Sequence, residues 1–118
     1  STCEHHMAPI IGVAHVGYRP CERVVGISKL SRLADAFARR LQLQERLTQQ
    51  IGMTLWDALA PRGVAVVIDA THGCMATRGV NQRGVAMRTA CWLGDFQADR
   101  DLRREFLTSV SAARASAR

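Results

Sequence analysis

Residues 27–59 have the sequence ISKLSRLADAFARRLQLQERLTQQIGMTLWDAL, in which apolar side chains recur at helical spacing. In residues 27–41 the apolar positions follow three- and four-residue steps, which predicts an amphipathic helix with Ser28 as its N-cap. In residues 43–59 they fall four apart on a single stripe, which predicts a second helix immediately after the first. Pro61 then ends the helical pattern. Two consecutive helices therefore form the centre of the chain.

The segments on either side of this helical pair have the composition and alternation of strands. We predict a strand at 10–19, a long strand at 64–78, a turn at 81–84, a strand at 85–93 and a short helix at 102–110. The Ala/Ser/Arg tail beyond this helix is expected to fray. The order predicts one α+β domain over residues 1–118, with helices on one face of a small, mainly antiparallel sheet. Its unpaired edges would favour strand pairing between subunits.

Composition narrows the class of protein without choosing a function. The 118 residues are 47% hydrophobic and 22% charged, which suits one compact domain and excludes a disordered or fibrous chain. The net charge of +6 favours anionic partners such as nucleotides, phosphorylated metabolites or nucleic acid. No apolar stretch is long enough to cross a membrane, and no signal peptide opens the chain. Four cysteines without a CxxC pair indicate thiols or metal ligands in a reducing, cytoplasmic compartment.

Two short motifs carry metal-binding side chains. Cys3 and His6 are three residues apart in CEHH, and Cys74 follows His72 at two residues in a predicted strand, where alternate side chains share a face. Two thiolates and an imidazole from Cys3, His6 and Cys74 would bind zinc and leave a fourth position for water, as in catalytic zinc sites. His5 and His72 would then be free to move protons.

Charged and amide side chains at the starts of the two helices suit a nucleotide. Ser28, Lys29 and Arg32 lie at the start of the first helix, where free N–H groups favour an anion. At the start of the second helix, Gln44 and Glu45 combine an amide with a carboxylate, a pair suited to the donor edge of guanine. Both sets also have a structural interpretation, as a solvated basic face and an acidic first helical turn.

Other reactive side chains are interpreted structurally. Cys91 alternates with apolar residues in its strand, and Cys21 lies in a loop beside a proline. His15 lies in the middle of a strand without a companion histidine or cysteine. We therefore assign these three residues no role in the site.

Five motifs follow one another along nearly the whole chain, in the order CEHH, GISKLSR, FARRLQLQERLTQQI, HGCMATRG and REFL. With these motifs the chain resembles the GTP cyclohydrolase I family. The resemblance implies three zinc ligands, which are Cys3, His6 and Cys74. It implies two catalytic histidines, which are His5 and His72. It implies that guanine is held by Gln44 and Glu45, and that the ribose and triphosphate contact Ser28, Lys29, Arg32 and Arg78.

The resemblance also implies a reaction, a fold and an assembly. GTP and water would give formate and 7,8-dihydroneopterin triphosphate, the first step of folate and pterin biosynthesis. The family has the tunnelling fold, in which sheets join into a barrel in a ring-shaped decamer with active sites at subunit contacts. Family members carry an N-terminal helical region and a strand before CEHH. We therefore expect this chain to be a fragment or a short member that assembles poorly.

Two other functional classes fit parts of the pattern. A non-catalytic, zinc-stabilised nucleotide-binding module would use a fourth protein ligand and show no turnover. The second class is a related tunnelling-fold enzyme that acts on pterins or deazapurines. Such an enzyme would typically bind zinc through histidines or use a catalytic cysteine without zinc. The Cys/His/Cys set and the QLQE motif at 42–45 therefore argue against this class. Nucleic-acid binding is supported by charge alone, without aromatic stacking platforms, and we expect neither a nucleic-acid nor a membrane partner.

Overall fold

The computed structural model describes residues 1–3, 10–72 and 87–116. Its strands are β1 (Thr2–Cys3), β2 (Ile10–Arg19), β3 (Leu41–Gln42), β4 (Gly63–His72) and β5 (Met87–Gly94). Its helices are α1 (Ile27–Ala38), α2 (Gln44–Leu59), α3 (Asp95–Ala98) and α4 (Arg100–Ser116). The α+β class and the two central helices are confirmed. The predicted turn at 81–84 and the end of the long strand at 73–78 lie outside the described residues.

A three-stranded antiparallel sheet organises the described part of the chain, in the order β2-β4-β5. Ile10 pairs with His72 at one end of β2, and Arg19 pairs with Gly63 at the other. On the far side of β4, Ala70 pairs with Met87. A separate two-residue parallel pair joins β1 to β3. The small antiparallel sheet predicted from alternation is therefore confirmed.

The main core lies between one face of β4 and helix α2. Alternate residues of β4 point to this face, and Val64, Val66 and Ile68 are at most 4% exposed. They pack against the four-residue stripe of α2, in which Leu47 and Ile51 are buried. Helix α1 lies at the margin of the same core, since residues such as Leu30 and Phe37 are only partly buried and Ile27 is exposed.

The C-terminal helix packs against the opposite face of the sheet, so the prediction of helices on one face is wrong for α4. The strand register places Gly17, Ala65 and Trp92 side by side on this second face. The Phe106 ring of α4 covers it: its centroid lies 6.0 Å from that of Trp92, and a Cβ on Gly17 would meet Phe106 at 2.7 Å. The physical reason is that β4 is apolar on both sides, since Ala65 and Val67 are completely buried.

Two helix ends also differ from the predictions. Helix α1 begins at Ile27 with Gly26 as its N-cap, so Ser28 lies inside the first turn rather than at the cap. Helix α4 extends over Arg100–Ser116 instead of ending near residue 110. Alanine and arginine are strong helix formers, which explains why the tail continues the helix rather than fraying. Within the described ranges, no helix is long and apolar enough to span a membrane.

Candidate active site

The backbone brings the two predicted ligand-bearing segments to the same end of the sheet. Ile10 donates its N–H to the carbonyl oxygen of Ser1 at 2.6 Å, and the Ser1 nitrogen donates to the Ile10 carbonyl at 3.0 Å. Ile10 is also the partner of His72 across β2 and β4. Cys3, two residues after Ser1, pairs with Gln42 just before α2. The first residues of the chain and the end of β4 are therefore neighbours.

The side chains that would bind the metal lie outside the described part of the structure. Residues 4–9, which include His5 and His6, are not described, and neither are residues 73–86, which include Cys74 and Arg78. For Cys3 and His72 only the backbone is described. Among the described residues there is no group of three histidine, cysteine or acidic side chains suited to a metal ion. The zinc ligands and catalytic histidines stay predictions.

Helix α2 begins at this same end, and its first residue points into the protein. The Gln44 side chain is 1% exposed. Its Nε2 donates to the carbonyl oxygens of Ile68 at 3.1 Å and Met87 at 2.8 Å, and to Thr89 Oγ1 at 3.2 Å. The carboxamide nitrogen is thus occupied by β4 and β5. The predicted role of Gln44 in holding guanine remains a prediction, and its side-chain nitrogen is directed away from solvent.

Glu45 has the opposite environment, although it is the next residue. Its side chain is exposed, and it lies in the first turn of α2. The partial positive charge at a helix N-terminus stabilises an ionised carboxylate there. Glu45 therefore presents an acceptor to solvent at the same end of the molecule as Ser1, Ile10 and His72.

The predicted phosphate-binding residues lie elsewhere in the same chain. Ser28, Lys29 and Arg32 are exposed near the start of α1. That start is held at the far end of the sheet, because Val25 donates its N–H to Tyr18 Oη at 3.0 Å.

Helices α1 and α2 run in opposite directions along the sheet. Arg23, just before α1, donates to the Ala58 carbonyl near the end of α2 at 3.2 Å. At the other end of α1, Ser1 Oγ donates to the Arg40 carbonyl at 3.2 Å. The rise of 1.5 Å per residue along α2 separates Glu45 from Ala58 by ~20 Å. In one chain, the start of α1 with Ser28 and Lys29 therefore lies well away from Glu45.

An ion pair between a buried aspartate and an exposed arginine at the same end of the sheet was not predicted from the sequence. Arg88 donates from Nε and Nη2 to the two carboxylate oxygens of Asp69 at 2.6 and 2.9 Å. Asp69 is 7% exposed, and its hydrogen bond is the main reason that the pKa of Arg88 is raised above its ordinary value. The sequence feature that could have predicted this pair is Asp69, the single acidic residue in the apolar segment VAVVIDA, because a buried carboxylate needs a cationic partner.

The structure supports the exclusion of two cysteines from the site. Cys91 is 2% exposed, and burial raises the pKa of its thiol. Its Sγ fills the space left by the missing side chain of Gly52, where a Cβ would lie 2.6 Å from the sulfur. Cys21 is an exposed free thiol in the connection before α1. Cys91 is thus a core residue.

A groove of about 440 Å³ lies between β2 and α1, lined mainly by small and apolar side chains such as Gly12, Ala14 and Leu30. None of the predicted site residues in the described ranges lines it. We therefore do not assign this groove to the nucleotide.

Comparisons with known proteins agree with the resemblance. The family model described as GTP cyclohydrolase I matches residues 1–111. The GTP cyclohydrolase 1 of Saccharomyces cerevisiae is 55% identical over 108 residues, which cover 92% of this chain and 44% of that protein. Those of Maricaulis maris and Chlorobaculum tepidum are 50% and 53% identical over 96% and 93% of this chain, and 55% and 49% of their own lengths. The chain spans about half the length of these relatives.

Proposed function

Because the chain belongs to the GTP cyclohydrolase I family, we propose that it supplies the catalytic part of an enzyme that opens the imidazole ring of GTP. GTP and one water would give formate and 7,8-dihydroneopterin triphosphate, as the first step of folate and pterin biosynthesis in the cytoplasm. The observation that supports this most is that three parts of the chain meet at one end of the sheet. They are the first residues (Ser1–Cys3), the paired strand ends at Ile10 and His72, and the start of α2.

Zinc suits the donor set that we propose. Cys3, His6 and Cys74 would supply two thiolates and an imidazole, which are ligands that zinc prefers. The pairing of Ser1 with Ile10, and of Ile10 with His72, supports a short distance between their parts of the chain. When bound, zinc would lower the pKa of a coordinated water towards neutrality.

Two histidines beside these ligands are proposed to transfer protons. Histidine side chains are the common general acids and bases of enzymes, because an imidazole can both accept and donate a proton, and His5 and His72 are the two that we propose for this role. Ring opening needs a proton on the departing ring nitrogen, and release of formate needs further proton movement. We propose that these two side chains perform both.

Glu45 is proposed to anchor the guanine base. A carboxylate accepts hydrogen bonds from adjacent N–H groups, and the guanine N1 and exocyclic amine present two such donors. The exposed position of Glu45 in the first turn of α2 supports this assignment, because its carboxylate oxygens are open to a ligand from solvent.

The triphosphate is proposed to bind to a second copy of the chain. Ser28 and Lys29 lie in the first turn of α1, at the end away from Ser1, and Arg32 lies near the middle of that helix, whereas Arg78 belongs to the segment that follows His72. The distance of ~20 Å along α2 between Glu45 and Ala58, whose carbonyl contacts Arg23 just before α1, supports a composite site, in which one copy holds the base and its neighbour supplies cations. A homo-oligomer, a decamer as in the family, would provide such contacts.

Metal analysis together with a GTP assay tests this proposal. We expect the purified chain to hold about one zinc per site and to release formate from GTP in step with formation of a fluorescent pterin. Cys74→Ser should lose zinc and turnover together, whereas Cys21→Ser, a matched change of an exposed thiol, should keep both. Full zinc occupancy in Cys74→Ser would contradict the ligand set. Zinc without formate release would indicate a non-catalytic module.

A further inference from the structure

The structure assigns Gln44 a positioning role: its buried carboxamide fastens the start of α2 to the ends of β4 and β5 and thereby places Glu45. This inference rests on the proposed function, since it takes Glu45 as the group that anchors guanine. It differs from a direct contact between the Gln44 side chain and the base.

Gln44 connects two strands to one helix through a single nitrogen. An amide nitrogen carries two N–H donors, and Gln44 Nε2 has three acceptors within 3.2 Å, so at least one donor is shared. Two acceptors are main-chain carbonyls, Ile68 in β4 and Met87 in β5. The side chain therefore holds the two strands and α2 in one arrangement.

A closed ring of hydrogen bonds completes the connection. Gln44 Nε2 donates to Thr89 Oγ1, which lies 2.6 Å from Thr48 Oγ1. Thr48 Oγ1 in turn donates to the Gln44 carbonyl at 2.8 Å. With the Thr89 hydroxyl donating to Thr48, every member of the ring both donates and accepts. Buried networks in which each polar group is satisfied favour one geometry strongly.

The start of α2 has no side-chain N-cap bond. The N-cap residue of α2 is Leu43, which has no side chain able to bond the free N–H groups. The first turn is instead held from inside the protein by Gln44. Because Glu45 follows directly and is exposed, its direction depends on how firmly Gln44 is held.

Gln42 offers a matched control. It is also 1% exposed, and its Nε2 donates to the Phe37 carbonyl at 2.9 Å and to Gln50 Oε1 at 2.8 Å. These bonds join α1 to α2, and neither partner belongs to β4 or β5. Gln42→Met therefore removes an equally buried carboxamide without releasing the start of α2 from the sheet.

The test combines hydrogen exchange of the free protein with GTP kinetics of Gln44→Met, Gln42→Met and Glu45→Gln. We expect amides of β5 near Thr89, and the Leu47 amide, which donates to the Leu43 carbonyl at the start of α2, to exchange at least tenfold faster in Gln44→Met and not in Gln42→Met. The KM for GTP should rise by about tenfold in Gln44→Met with kcat within about threefold. Gln42→Met should change neither constant by more than about threefold.

A double variant separates positioning from direct contact. If Gln44 acts through Glu45, Gln44→Met should add little to the loss already caused by Glu45→Gln, so that the two effects are not additive. Additive losses, with exchange in free Gln44→Met equal to that of the unaltered chain, would overturn the inference. Absence of GTP turnover in the unaltered chain would instead refute the proposed function, and the exchange measurements would still decide whether Gln44 holds α2.

Discussion

The contact between Gly52 and Cys91 predicts a specific pattern of stability changes. An alanine Cβ at position 52 would lie 2.6 Å from Cys91 Sγ and 3.3 Å from its Cβ. Helix propensity alone would make Gly52→Ala stabilising by about 1 kcal/mol. Overpacking in a filled core costs about 1–3 kcal/mol. We therefore expect Gly52→Ala to be neutral or to destabilise the protein by up to about 2 kcal/mol.

Removal of the sulfur should reverse this effect. Cys91→Ala alone should destabilise by about 1 kcal/mol, because it leaves a small void. In Gly52→Ala/Cys91→Ala the new methyl group occupies part of that void. The two changes should thus couple favourably by about 1–3 kcal/mol. The double variant should therefore be as stable as Gly52→Ala or more stable by up to about 2 kcal/mol.

Urea denaturation at one protein concentration measures these differences, with thermal unfolding as a second probe. For a domain of this size, 1 kcal/mol corresponds to a shift in Tm of about 3–6 °C. Gly26→Ala is the matched control, since a Cβ there meets nothing within 4 Å. It should cost about 0.5 kcal/mol or less. Additive effects of the two changes, with no favourable coupling, would refute the steric reasoning.

Three further predictions concern pH, catalysis and assembly. Burial raises the pKa of the Cys91 thiol above its ordinary value of 9.0, so the folded state keeps a proton that the unfolded state loses. The stabilisation is complete below pH 9.0 and declines as the pH rises towards the folded pKa. Denaturation curves of Cys91→Ala should lack this decline; an identical decline would assign it to another group. His72→Ala should keep its zinc while turnover falls by about two to four orders of magnitude, as measured by formate release; unchanged turnover would remove His72 from the mechanism. Inactive Lys29→Ala and Glu45→Ala chains, refolded together in equal amounts, should regain about a quarter of full activity if each site uses two copies. No recovery in mixed oligomers, verified by light scattering, would indicate a site within one chain.

Helical periodicity was sufficient to predict α1 and α2, because each helix has an apolar stripe at regular spacing. The β-branched and small residues at 10–19 likewise predicted β2 over its full length. Helical periodicity failed at helix ends for local reasons. Serine is a preferred N-cap residue, yet α1 has Gly26 as its N-cap and Ser28 lies in its first turn. The alanines and arginines after residue 110 continue α4 to Ser116.

The face of the sheet that α4 covers could not be predicted from helical periodicity. Periodicity identifies the apolar side of a helix but not the face of the sheet that it covers. The uninterrupted apolar run from Val64 to Ile68 is typical of a strand buried on both faces, but the alternation of apolar residues alone led to a prediction of helices on one face. Only the packing of Phe106 against Trp92 identifies which helix covers the second face.

The sequence by itself determined the α+β class, the family and the residue types of the site, because motif spacing and periodicity are local properties of the chain. Tertiary structure alone decided that Gln44 points inward while Glu45 points to solvent, and that Lys29 lies far from Glu45. The physical reason is that a side chain's direction depends on partners brought together from distant parts of the chain. The carbonyls of Ile68 and Met87, which are 24 and 43 residues from Gln44, orient its amide.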